Sequence, residues 1–151
     1  MALRILLDRD DPALRKKSRE VVAFDERLHQ LLDDMHETMT ASEGVGLAAV
    51  QIGILRRVVV IDIDGRLELI NPVMTQTSEE TLTASEGCLS FLGERGMVPR
   101  PQEVTVDAFD RHGKPFTLTG EGMLARALCH ELDHLDGVTF HDKATMMHEP
   151  D

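Results

Sequence analysis

The chain has 151 residues, the size of one compact unit with a single core, so one domain is expected over 1–151. Hydrophobic residues make up 42% and aromatics only 3%, so the eight Met and the many Leu and Val must fill the core and line any pocket. A formal net charge of −11 repels a phosphate backbone and argues against general nucleic-acid binding, and no stretch approaches a membrane span.

In chain order, the apolar run from Leu3 to Leu7 is too short for a signal peptide. With two cysteines and no sign of secretion, a reducing cytoplasm is the expected compartment. Residues 8–20 are densely charged and contain Pro12, which predicts a surface loop or short turns. Leu28, Leu31, Leu32, Met35 and Met39 recur at three- and four-residue steps, which predicts a helix with one buried face, N-capped by Asp25 and ending near Ser42. The β-branched run Arg57 to Asp62 reads as a strand. Asp64-Gly65 reads as a turn, and Leu67 to Val73 as the returning strand. A second hairpin is expected from Glu103 to Leu118, turning at Arg111-His112-Gly113. Gly122 to Leu135 reads as a second helix stopped by Gly137, and the tail after Phe140 as short, polar and loose. The sum is an α+β fold, with antiparallel sheets around a C-terminal helix and a further helix near the N-terminus.

The second helix carries the chemistry. Leu124, Leu128, Leu132 and Leu135 form a narrow stripe that accounts for its burial. His130 and His134, four residues apart, project together from another face, and Glu131 follows the first of them. Such an H-E-x-x-H helix binds a divalent metal and sets a carboxylate beside the water that the metal activates. By itself the pattern does not name a reaction.

A hydrolytic site needs a third protein ligand and an open position. Phe140 stands where a third His would fall in one common arrangement, and too little chain follows His134 for a helix bearing a downstream ligand. The third ligand is therefore expected upstream. Cys129 points about 100° away from its neighbour His130 and reads as a small buried thiol. Cys88, in Glu86-Gly87-Cys88-Leu89-Ser90 after a polar loop, is the remaining sulfur. Glu86 and Arg100 are expected to pair and brace that segment, and Asp133 to be solvated.

Three segments together resemble the peptide deformylase family: Gly44-Val45-Gly46-Leu47-Ala48-Ala49-Val50-Gln51, Glu86 to Ser90, and His130 to Gly137, in that order. The resemblance implies removal of the formyl group from N-formylmethionyl peptides of nascent chains. It implies Cys88, His130 and His134 as ligands of one divalent metal, natively Fe²⁺, with Zn²⁺, Ni²⁺ or Co²⁺ able to substitute. Glu131 would be the general base and acid. The Gln51 amide and the Leu89 backbone N–H would face the developing oxyanion. Gly44, Gly46 and Gly87 would pair with an extended peptide, while Val45 and Met123 would either receive the methionine side chain or pack in the core. Arg95 would stand near the rim. Some members carry a C-terminal helix implicated in ribosome contact, and the short tail here offers no such helix. The sequence departs from the usual pattern at Val50, Phe91-Leu92, Arg126 and Cys129.

Overall fold

A stripe of apolar residues on each of two helices and a strand buried on both faces between them organise the molecule, which a computed structural model describes over residues 2–148. Helix α1 spans Glu26–Ala41 and opens as the sequence predicts, with the Asp25 carboxylate accepting from Leu28 N–H at 3.1 Å. Strands β1 (Gly46–Ala48), β2 (Val58–Asp62), β3 (Arg66–Thr77), β6 (Glu103–Phe109) and β7 (Pro115–Glu121) form an antiparallel sheet in the order β1-β2-β3-β6-β7. Strand β2 is buried on both faces, which is why its run of β-branched residues is continuous rather than alternating with polar ones. Val58 and Val60 pack toward Leu28, Leu32 and Met35 of α1. Val59 and Ile61 pack on the other face, against α2 (Met123–Leu135), whose Leu128, Leu132 and Leu135 bury there as the Leu stripe requires.

A smaller sheet in the order β4-β5-β8 consists of β4 (Thr81–Glu86), β5 (Arg95–Pro101) and β8 (Met146–His148). It has its own cluster of Leu14, Phe91, Val98 and Phe140. Two expectations change here. The segment before Cys88 is strand β4 rather than a polar loop: its mainly exposed side chains give no burial signal, and register comes from pairing with β5. The tail is not loose as far as His148. Phe140 is buried, and Met146–His148 pair antiparallel with β5. Gly96 lies at that seam, where a Cβ would come within 2.7 Å of Met147 Sδ and 3.3 Å of Met146 O.

One strand breaks its own ladder. Asn71, at φ +52°, shifts the β3 register, and its side-chain amide bonds both N–H and C=O of Val21 at 2.8 and 2.9 Å. The segment before α1 is thereby held to the sheet.

Candidate metal centre and substrate groove

The functional helix lies between the two sheets. Its Leu stripe serves the larger sheet, so the His face of α2 is turned toward the end of β4 and the loop that follows it. Ligand-capable atoms of Cys88, His130 and His134 come together within 4.8 Å of one another, and Cys88 Sγ lies 3.3 Å from His134 Nε2. Both imidazoles are buried.

A second set of side chains orients this cluster. His130 Nδ1 donates to Glu86 Oε2 at 2.7 Å, which leaves its other ring nitrogen for the cluster. Glu86 in turn accepts two hydrogen bonds from Arg100, at 3.2 and 2.7 Å, and one from Arg126 at 2.9 Å. Burial alone would raise the Glu86 carboxyl, but the hydrogen bonds from His130 and Arg100 outweigh it and hold the group at about 2. Arg126 also reaches the backbone carbonyls of Val98 and Leu82, at 2.9 and 2.6 Å, and ties α2 to β5 and β4. The expected Glu86–Arg100 pair is present. Asp133, expected to be solvated, instead accepts from Arg100 at 2.7 Å and from Lys143 at 3.2 Å, because Arg100 has a spare nitrogen on that side.

Electrostatics separate the neighbouring groups. Burial lifts Glu131 to about 7, although His130 pulls in the other direction. Burial and repulsion from His130 push His134 well below the usual imidazole range, so it stays neutral, the form that ligates a metal. Burial alone would also lower His130, but Glu131, Cys88 and Glu86 outweigh that and raise it. Metal binding at this cluster would therefore displace a proton. Cys129 is buried in the larger core, with its thiol pushed up by desolvation, and is absent from the cluster.

The Gln51 amide has a defined orientation. Its Oε1 accepts from Ala48 N–H at 3.0 Å, so its nitrogen end faces Cys88 Sγ at 3.4 Å and Ser90 Oγ at 3.2 Å. A groove of about 410 Å³ opens over this cluster. Its lining includes Gly44, Val45, Gly46, Gln51, Gly87, Cys88, Leu89, Arg95, Met123, His130 and Glu131. Strand β1 runs so close to the base that a Cβ on Gly46 would lie 2.6 Å from Glu131 Oε2. Val45 and Met123 are exposed at the groove rather than packed in the core. Sequence reasoning missed Glu94 and the partnership of Arg126 with Glu86. Neither falls in a spacing that signals chemistry, and only the folded loop brings Glu94 to the groove. Ala127 lines the groove as its place on the His face of the helix implies.

The family described as "Polypeptide deformylase" matches residues 3–149. The chain belongs to that family. A peptide deformylase of Caldicellulosiruptor bescii is 55% identical over 144 residues, covering 95% of this chain and 86% of its own. One from Acetivibrio thermocellus is 53% identical and covers 95% and 84%. The crystal structure of the Thermotoga maritima deformylase superposes with a TM-score of 0.93 at 38% identity, over 95% of this chain and 98% of that one. The two-helix, antiparallel α+β architecture is thus a deformylase fold. No helix among the described residues is long and apolar enough to cross a membrane.

Proposed function

We infer that this chain is a metal-dependent hydrolase that removes the N-terminal formyl group from formyl-methionyl peptides of newly made proteins. The observation that carries the reading is the Cys88–His130–His134 cluster with Glu131 on the same helix at the base of a groove. The donor set fits one divalent cation: two imidazoles, one of them braced by a carboxylate, and one sulfur. When bound, the metal supplies Lewis acidity toward the formyl oxygen and lowers the pKa of water. Sulfur suits Fe²⁺ as well as Zn²⁺, and with the family membership it supports Fe²⁺ as the native ion, with Ni²⁺ or Co²⁺ as substitutes that resist oxidation. Both cysteines are free, which fits a reducing cytoplasm where nascent chains are made.

Each of the chain's groups then has a task. Glu131, held near neutrality by burial, takes a proton from the attacking water and returns it to the departing amine. The nitrogen end of Gln51 and the Leu89 N–H stabilise the oxyanion that forms on the formyl oxygen. Gly44, just before β1, and the outer edge of β1 at Gly46, with Gly87 also at the groove, offer backbone to an extended peptide. Val45 and Met123 receive the methionine side chain at the groove, and Arg95 borders its mouth. The test is hydrolysis of formyl-Met-Ala-Ser against acetyl-Met-Ala-Ser by anaerobically purified protein of known metal content. Formyl-selective release supports the reading, and cleavage of unblocked internal peptide bonds overturns it.

A further inference from the structure

The groove's outer wall is the loop between β4 and β5, and its shape depends on two residues that do not line the groove. Local turns fold the loop back: Phe91 N–H reaches Cys88 O at 3.0 Å, and Glu94 N–H reaches Phe91 O at 3.2 Å. Its tip carries Leu92, 72% exposed, and Gly93 at φ +85°. Beyond those turns, the tip is held at Glu94. His141 Nε2 donates to Glu94 Oε1 at 2.9 Å, while Arg9 lies 3.2 Å from Glu94 Oε2. The same Arg9 nitrogen also donates to Leu92 O at 3.2 Å. The other His141 nitrogen meets Thr139 Oγ1 at 3.1 Å, and the His141 ring packs against Phe91 and Phe140, with centroids 4.6 and 4.2 Å away. Asp142, next to His141, pairs with Arg15 and accepts from Thr139 N–H at 3.0 Å rather than joining the tether. Two segments from opposite ends of the chain therefore grip the two oxygens of one carboxylate.

The position of that carboxylate matters to substrate. His130 and Glu131 lie at the buried end of the groove, while Leu92, Arg95 and Met123 border its mouth. A peptide whose formyl group reaches the buried end must run its second and third residues past the mouth. We propose that Glu94, held by Arg9 and His141, is a positioning residue that fixes the Leu92–Arg95 rim against the residues following the formyl-methionine. The proposal rests on the deformylase reading above. Exposed ion pairs add little to global stability, so loosening this one should show in loop position rather than in unfolding.

The experiment compares wild-type protein with Glu94→Ala, Arg9→Ala, His141→Ala, His141→Gln and the Arg9→Ala/His141→Ala double variant, all at equal metal content. Amide hydrogen exchange over residues 91–94, read without substrate, tests the tether whatever the protein hydrolyses. Steady-state kinetics on formyl-Met-amide, which does not reach the rim, and on formyl-Met-Ala-Ser test its consequence. Glu94→Ala should speed exchange at 91–94 and raise KM for the tripeptide about five-fold, with kcat changed less than about two-fold. KM for formyl-Met-amide should move little. His141→Gln, which keeps a donor, should lie near wild type, and the double variant should be no worse than Glu94→Ala. Unchanged exchange in Glu94→Ala, or an equal loss on both substrates, overturns the proposal. If His141→Ala loses its fold with its ring contacts, Arg9→Ala touches no ring and reads the same tether. Wild-type protein inactive on both formyl substrates would count against the activity, while exchange would still decide the tether.

Discussion

Glu131 is buried on α2 at the base of the groove, and its Oε1 has no hydrogen-bond partner among the described residues. An amide at that position keeps the shape but cannot accept a proton. Glu131→Gln should therefore retain one metal per chain and lose about 10²- to 10⁴-fold in kcat. Near-wild-type turnover by the metal-loaded variant would remove Glu131 from its role. Gln51 differs, because its orientation is fixed by Ala48 and Ser90 rather than by substrate. Gln51→Leu should reduce kcat by about 10²-fold with a smaller change in KM, if its N–H acts on the transition state. A change confined to KM would reduce it to a substrate contact. The His pair, its Glu and the Leu stripe are readable from helical periodicity, because spacing along one helix fixes a shared face. Of the partners of Glu86, Arg100 is legible from the opposite charges flanking the Cys88 segment, and it pairs as expected. Arg126 is not, because it stands on α2 and only folding brings it to the same carboxylate.

Among the elements, both helices and the β2–β3 and β6–β7 hairpins are legible because each carries a periodicity or a turn signal of its own. Strands β4 and β8 are not. The side chains of β4, and those of Met146 and Met147, are largely exposed, and what specifies both strands is pairing with β5, a long-range feature. The clamp between α1 and the larger sheet is similarly hidden. Arg111, in the β6–β7 turn, donates to Glu68 of β3 at 2.9 and 2.6 Å and to Asp33 of α1 at 2.9 Å. Burial alone would raise Glu68, but Arg111, with His36 beside it, outweighs burial and holds it at about 2. The folded value lies below the unfolded one, so this stabilisation is complete above the unfolded carboxylate range and is lost as pH falls from about 5 to about 2. Glu68 is partly exposed, so the contribution is discounted to about 1 kcal/mol. Glu68→Gln should melt a few degrees lower near neutrality, with a flatter fall in Tm across that acid window. A variant whose Tm falls as steeply as wild type there would show that Glu68 is not the group titrating.

At the scale of the whole molecule, the cluster joins parts that otherwise have separate cores. His130 and His134 belong to α2, which packs on the larger sheet, whereas Cys88 follows β4 of the smaller one. A metal held by all three bridges the two sheets in the folded state and finds no such preformed set in the unfolded chain. Ligand at about a thousand-fold excess over Kd stabilises by about 4 kcal/mol. For a chain of this size each kcal/mol shifts Tm by about 2–4 °C, so chelation should lower Tm by on the order of ten degrees. Cys88→Ser should contain much less metal and should melt at nearly the same temperature with or without chelator. Cys129→Ser removes a thiol that lies in the larger core and outside the cluster, so it should keep both its metal and its chelator sensitivity. Cys129→Ser loses some packing, and its absolute Tm can therefore fall. The chelator-dependent difference, not the absolute value, is the quantity that separates the two sulfurs. If stripping the wild-type metal leaves Tm unchanged, or if Cys129→Ser loses the difference while Cys88→Ser keeps it, the proposed bridge between the sheets is wrong.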